Sequence, residues 1–173
     1  MFQTDSGGMA AAADIKLCDP SSTWATRLSQ IGRNTDRIVI CTEELLLDGG
    51  DKYGNGCVYD NRYIRSILNK RDAVDPGLGS VTLITNGSEA EKAEELLNDY
   101  PDMTVVLTEK ITGTVVLLST GTAWFSVGGF GKVKKTDKAS PFSGLGIHSK
   151  ECYKHIKNGI NRHIKENGSR RLN

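Results

Sequence analysis

The chain has 173 residues and a net charge of +1, and 38% of its residues are hydrophobic and 25% charged. These values are typical of one soluble globular domain and exclude a membrane span, because no run of about 18 apolar residues occurs. The N-terminal residues lack the pattern of a secretory signal, and the four cysteines form no CxxC pair. We therefore expect a cytoplasmic protein, with residues 1–19 as a flexible tail.

The first half of the chain alternates between helical and strand patterns. Apolar spacing predicts a helix over about 21–31, and the β-branched run 37–42 predicts a strand after it. A glycine-rich loop over 46–57 leads to a second helix that Asp60 can cap. The stretch 72–79 contains Pro and Gly and is expected to break the regular secondary structure there.

The middle of the chain repeats this alternation. Residues 80–86 and 103–108 predict two further strands. Ser88 and Glu91 have the spacing of a capping box, which predicts the start of a third helix between these strands. Pro101 is expected to end that helix.

The last third of the chain begins with a predicted β-hairpin over 114–127, turning at Thr120–Gly121. A basic loop and a short strand over 145–148 follow. Ser149 then has the position of an N-cap for a final helix, which Gly168 is expected to end.

This order of elements predicts an α/β fold in which a mixed β-sheet is flanked by helices. We expect one domain over residues 20–168 and a basic tail over 169–173.

The charges are distributed unevenly along the chain. Residues 132–173 contain eleven lysines and arginines but three acidic residues, a net charge of +8, so the remaining residues carry −7. This asymmetry indicates an anionic partner, such as nucleic acid or an acidic protein, or self-association through opposite charges, or else an ordinary solvated helix face and a frayed tail. The candidate anion-binding residues are Lys132, Lys134, Lys135, Lys138, Arg170 and Arg171.

Several ligand-binding motifs fail on spacing. Gly131–Lys132 lacks the earlier glycine and the following Ser or Thr of a phosphate-binding loop. The glycines of residues 144–146 lack the third glycine of a dinucleotide-binding turn. The three histidines near the C-terminus match no zinc-ligand spacing. We therefore expect no cofactor and no metal.

The element order and the hairpin resemble the phospholipase D superfamily. A half-domain of that family carries a signature hairpin, His-x-Lys-x4-Asp followed by Gly-Ser and Asn, on an apolar frame. Here Val115, Val116 and Leu118 match the first strand of the frame, and residues 123–125 match the second. The resemblance covers about residues 20–167.

None of the signature side chains is kept. The family's histidine falls on Thr112, its lysine on Thr114, and its aspartate on Ser119. The resemblance implies that the histidine attacks phosphorus and that the lysine stabilises the charge on the phosphoryl group, and threonine supplies neither function. We therefore expect no family-type hydrolysis. The vestigial pocket would comprise Thr112, Thr114, Ser119, Ser126, Gly128 and Gly129.

Three functions follow as hypotheses. The first is a non-catalytic domain that binds a ligand, regulates or dimerises; the resemblance implies a homodimer in which two signature hairpins meet. The second is a phosphodiesterase or nuclease whose histidine comes from elsewhere, namely His148, His155 or His163. The third is binding of nucleic acid or an acidic partner through the basic C-terminal segment, with steep salt dependence.

Overall fold

The strands of the chain lie in a single mixed sheet. The structure is a computed structural model that describes residues 14–18, 31–32, 35, 37–47, 64–74, 80–126 and 144–173. Within these ranges the chain forms an eight-stranded sheet and three α-helices, as expected for the predicted α/β class. The predicted helix over 21–31, the cap at Asp60 and most of the loop over 46–57 lie outside the described residues.

The sheet combines a parallel centre with antiparallel flanks. Its strands are β1 (Asp14–Cys18), β2 (Ile38–Thr42), β3 (Val81–Asn86), β4 (Thr104–Thr108), β5 (Thr114–Leu118), β6 (Thr122–Ser126), β7 (Gly144–His148) and β8 (Arg170–Arg171), in the order β1-β7-β6-β5-β2-β3-β4-β8. Strands β2, β3 and β4 are parallel, and the other pairings are antiparallel. The ends of β2, β3 and β4 and the start of β5 therefore share one edge, which we call the carboxyl edge (Thr42, Asn86, Thr108 and Thr114).

Two strands lie where the sequence predicted flexible or basic tails. Within the predicted tail 1–19, Asp14–Cys18 forms β1 and pairs with β7. Within the predicted tail 169–173, Arg170–Arg171 forms β8 and pairs with β4. Both strands sit at the outer edges of the sheet, where pairing depends on tertiary contact more than on local sequence. These two strands fall within the ranges that the sequence analysis assigned to tails, and the domain bounds remain a prediction.

Three helices cover the sheet: α1 (Ile64–Val74), α2 (Ala90–Asp99) and α3 (Lys150–Asn167). Ser149 caps α3 as predicted, since its Oγ accepts a hydrogen bond from the Cys152 amide at 3.3 Å. No helix among the described residues is long and apolar enough to cross a membrane.

The start of α2 differs from the predicted capping box. A 3-10 turn over Gly87–Glu89 precedes the helix, so Ser88 lies inside a helical turn rather than at an N-cap. Instead, the Glu89 carboxylate accepts hydrogen bonds from the Leu45 amide at 2.8 Å and from Lys92 at 2.9 Å. The turn is thereby tied to the segment after β2.

The apolar core has two parts, one on each face of the sheet. The larger part packs α1 and α2 against alternate strand residues, including Ile40, Leu83 and Trp124. The smaller part is formed by Ile84, Val106 and Ile111, against which Ile160 and Ile164 of α3 pack. No residue of α3 is fully buried, so this second face is covered more loosely than the first.

Candidate functional site

The predicted hairpin forms next to the parallel strands. Strands β5 and β6 pair antiparallel and turn through Gly121, whose φ of 99° is accessible to glycine at little cost. Thr114 pairs with Ser126 on one side and with Thr42 on the other. The hairpin therefore brings Thr114, the backbone of Ser126 and the preceding Thr112 to the carboxyl edge.

Ser119 does not belong to this group. It lies in the hairpin turn, at the far end of β5 from Thr114. Its Oγ accepts a hydrogen bond from the Arg37 amide at 3.1 Å, and its own amide donates to the Arg37 carbonyl at 2.9 Å. Ser119 thus holds the turn against the start of β2, at the opposite end of the hairpin from Thr114.

The Thr114 hydroxyl is used inside the protein. Thr114 is 3% exposed, and its Oγ1 lies 2.8 Å from Thr42 Oγ1. Thr42 Oγ1 also lies 3.0 Å from the Glu44 carbonyl, to which it can donate, so the two hydroxyls and this carbonyl form one hydrogen-bonded group between β2 and β5.

A carboxylate is hydrogen-bonded to the backbone of Gly113, between Thr112 and Thr114. Oε2 of Glu43 accepts a hydrogen bond from the Gly113 amide at 2.7 Å, and the Glu43 amide donates to the Gly113 carbonyl at 3.0 Å. Gly113 adopts a φ of 72°, which suits glycine. A negative charge at this point opposes the binding of a phosphate group.

Asn86 connects the segments that meet at the carboxyl edge. Its Nδ2 donates to the Glu43 carbonyl at 3.2 Å and to the Ile111 carbonyl at 3.1 Å. Its Oδ1 accepts from the Ile111 amide at 2.9 Å. One side chain thereby joins the end of β3, the segment after β2 and the segment before β5.

A cavity of about 220 Å³ is lined by Thr112, Cys41 and His163. The Thr112 side chain is exposed. Burial raises the pKa of the Cys41 thiol from 9.0 to about 11. This thiol is therefore protonated at neutral pH and is a poor nucleophile.

Both ring nitrogens of His163 have partners. Its Nε2 lies 2.7 Å from the Glu109 carbonyl, which can only accept, so Nε2 carries the proton. Nδ1 is then the acceptor for the Asn167 amide at 3.4 Å. The ring is held between two polar groups rather than directed at a substrate.

The buried thiol makes the stability of the protein depend on pH. Because the folded-state pKa of Cys41 is about 11 and the unfolded value is 9.0, its contribution is complete below pH 9 and is lost as the pH rises through 11. We expect wild-type protein to lose about 2 kcal/mol more than Cys41→Val across this window. Urea unfolding under reducing conditions at several pH values measures this difference.

The matched control for that comparison is Cys152→Ala, which retains Cys41 and should follow the wild-type decline. Equal losses in wild type and Cys41→Val would contradict the assignment of the effect to Cys41.

The other predicted site residues that the structure describes do not gather at the carboxyl edge. Nδ1 of His148 lies 2.9 Å from Thr122 Oγ1, at the turn end of the hairpin, and His155 is exposed on α3. Within the described ranges, no three His, Cys, Asp or Glu side chains are placed to hold a metal. Arg170 and Arg171 are exposed on β8. Outside the described residues lie Gly128, Gly129, Lys132, Lys134, Lys135 and Lys138.

Sequence reasoning missed Glu43 and Asn86 as members of this site. A signal for them was present, since Glu43 directly follows β2 and Asn86 ends β3. Carboxyl ends of parallel strands converge at one edge, which is where ligands bind in open α/β sheets. Cys41 was not among the predicted site residues, and no sequence signal indicated that it shares a cavity with His163, which was named as a candidate catalytic histidine.

Solved structures share this arrangement of strands and helices. NucT from Helicobacter pylori has a TM-score of 0.61 at 11% identity, over 89% of this chain and 97% of that one. Nuc from Salmonella typhimurium, a phospholipase D family member, has a TM-score of 0.60 at 9% identity, over 92% and 99%. The fold is therefore similar to that of phospholipase D-like proteins, as the sequence resemblance implied.

A third similar structure belongs to a longer protein. TrmBL2, an archaeal chromatin protein described as showing a novel mode of DNA binding, has a TM-score of 0.51 at 7% identity. The match covers 91% of this chain but 54% of TrmBL2, so the chain spans about half of that protein's length. No protein-family profile and no curated protein sequence matches the chain.

Proposed function

We propose that this chain is a non-catalytic phospholipase D-like domain that acts as a ligand-binding, regulatory or dimerisation module. The observation that carries the proposal is the state of Thr114, at the position that the resemblance assigns to the family's lysine. Its hydroxyl is buried and bonded to Thr42. A neutral, internally bonded group cannot stabilise the charge of a transferring phosphoryl group as a lysine would.

The neighbouring groups also argue against a replacement nucleophile. Thr112 would need a base to activate its hydroxyl. The nearby His163 has both nitrogens engaged, and Cys41 is protonated at neutral pH. The Glu43 carboxylate at the Gly113 amide adds repulsion toward an anionic substrate.

A homodimer is part of this proposal. The resemblance implies that two signature hairpins face each other across a two-fold axis. The exposure of Thr112 at the carboxyl edge supports such a contact, because its side chain is available to a second copy. The cavity beside Thr112 would then lie close to the interface and could take a small polar ligand.

We expect purified protein to sediment as a dimer and to release no nitrophenolate from bis(p-nitrophenyl) phosphate above the buffer rate, with or without divalent metal ions. The reason is that no activated nucleophile lies at the carboxyl edge among the residues that the structure describes. Analytical ultracentrifugation and an absorbance assay on the same sample measure both properties.

Two variants make this assay decisive. Turnover that Thr112→Ala abolishes would overturn the proposal. Turnover that His163→Ala abolishes, or that requires a metal ion, would favour the alternative of a phosphodiesterase with a non-standard active site.

Binding of nucleic acid through the basic C-terminal segment is a second candidate. It is favoured by the exposed pair Arg170–Arg171 and by the likeness to TrmBL2, which binds DNA. Backbone contacts would make affinity for an oligonucleotide fall steeply between low and moderate salt. Binding that is insensitive to salt would remove this candidate.

A further inference from the structure

A second cavity, of about 350 Å³, lies between α3 and the sheet, toward the amino ends of the parallel strands. Arg37 and Ser80, which directly precede β2 and β3, mark this end of it. Its inner part shares apolar residues with the cavity beside Thr112, but Thr112 and Cys41 do not line it. The charged residues that line it, Arg37, Lys157 and Arg171, do not line the cavity beside Thr112.

Three cations from separate parts of the fold converge on this cavity: Arg37 before β2, Lys157 of α3 and Arg171 of β8. Among the described residues, no acidic side chain lines it, and none of the three cations forms an ion pair. Lys157 is half-buried, with its Nζ 6.0 Å from the centre of the Tyr153 ring. Uncompensated like charges repel one another, so an anion between them would be stabilising.

The floor of the cavity is apolar, and its wall has neutral hydrogen-bonding groups. Val39 and Val106 of the sheet and Ile160 of α3 supply aliphatic surface, while Ser80 and Asn161 supply a hydroxyl and an amide. Small-molecule sites usually have volumes of about 300–1,000 Å³ and combine apolar walls with a few placed polar groups. An apolar floor below a cationic rim suits a molecule with an apolar body and an anionic end.

We propose that this cavity binds a small organic phosphate, with the phosphate among Arg37, Lys157 and Arg171 and the organic body on the aliphatic floor. Guanidinium groups match phosphate oxygens with two parallel hydrogen bonds. The concave apolar floor favours a small molecule over a nucleic acid backbone, which needs charge but no such recess. Binding in this cavity does not depend on whether the carboxyl edge is catalytic.

The test is a titration of the full chain with adenosine monophosphate, followed by calorimetry and by methyl NMR. We expect one saturable site, with shifts of the Val39, Val106 and Ile160 methyl signals. Adenosine, which lacks the phosphate, and inorganic phosphate, which lacks the body, should each bind more weakly. Arg37→Gln and Lys157→Gln should each weaken binding about tenfold or more, since each removes a charged hydrogen bond.

The matched control is Lys165→Gln, which removes an exposed lysine of the same helix that does not line the cavity. It should bind like wild type. Because Arg37 is exposed, its replacement should leave folding intact even if Lys157→Gln does not fold.

The proposal is overturned if adenosine monophosphate does not saturate one site, or if its affinity is equal in wild type, Arg37→Gln and Lys157→Gln. It is also overturned if a single-stranded oligonucleotide binds through Arg37 and Arg171 while adenosine monophosphate fails to compete, because the surface is then a nucleic acid interface. Hydrolysis of a phosphodiester by the wild-type protein would instead contradict the proposed function alone.

Discussion

Replacing Gly146 with alanine is expected to lower the free energy of unfolding by about 3 kcal/mol, as overpacking a tight core does. Gly146 of β7 lies directly opposite Trp124 of β6. A Cβ at this position would lie 2.6 Å from Cε3 of the indole and closer still to two other ring atoms. Trp124 is 1% exposed, so its ring has little space into which it could move.

Urea unfolding followed by circular dichroism measures this loss. The matched control is Gly159→Ala in α3, where an added Cβ meets nothing within 4 Å. That change should stabilise the protein by about 0.5–1 kcal/mol, because alanine favours a helix more than glycine does. If Gly146→Ala were as stable as wild type, the packing of the Trp124 ring over β7 would be contradicted.

Replacing Asn86 with alanine is expected to cost about 3 kcal/mol, because three polar groups lose their partner at once. The Ile111 amide and carbonyl and the Glu43 carbonyl would each lack the bond that Asn86 makes. Their loss would also loosen the segment that carries Thr112. Hydrogen exchange of the Ile111 amide should therefore accelerate together with the loss of stability.

Two further variants separate these contributions. Asn86→Asp keeps an acceptor for the Ile111 amide but sets a carboxylate oxygen against the two carbonyl oxygens that Asn86 donates to, so a loss at least as large as that of Asn86→Ala is expected. Asn98→Ala, at an exposed position of α2, should change stability by less than about 0.5 kcal/mol. A loss for Asn86→Ala no larger than that for Asn98→Ala would show that Asn86 does not hold the carboxyl edge together.

The interior of the fold could be predicted from local pattern. The β-branched runs around Ile40, Leu83 and Val105 lie within a residue or two of the observed strands, and the hairpin turns where expected. These strands are buried, so their sequences must be apolar, and the pattern reports that requirement directly. Strands β1 and β8 lie at the edges of the sheet, where pairing does not depend on an apolar run, so the sequence pattern did not predict them.

The beginning of α2 shows a second limit. The spacing of Ser88 and Glu91 matched a capping box, yet Glu89 bonds to Leu45, a residue distant in sequence. A bond between separate segments outweighed the local capping preference, and a 3-10 turn resulted.

The candidate site was predicted only in part. Thr112 and Thr114 could be placed by matching the hairpin to the family frame. Ser119 was grouped with them by the same spacing, although five strand residues at about 3.3 Å each put it about 16 Å from Thr114. Glu43 and Asn86 were missed although each lies at the carboxyl end of a parallel strand, and their hydrogen bonds at this edge join segments distant in sequence.

We propose that no side chain at the carboxyl edge acts as a nucleophile toward a phosphodiester. Intact-protein mass spectrometry after acid quenching of a concentrated mixture with bis(p-nitrophenyl) phosphate tests it most directly, because even a single attack that never turns over would be detected. We expect the mass of the chain to be unchanged. An adduct of one nitrophenyl phosphoryl group, mapped by digestion to Thr112, Cys41 or His163, would contradict the claim.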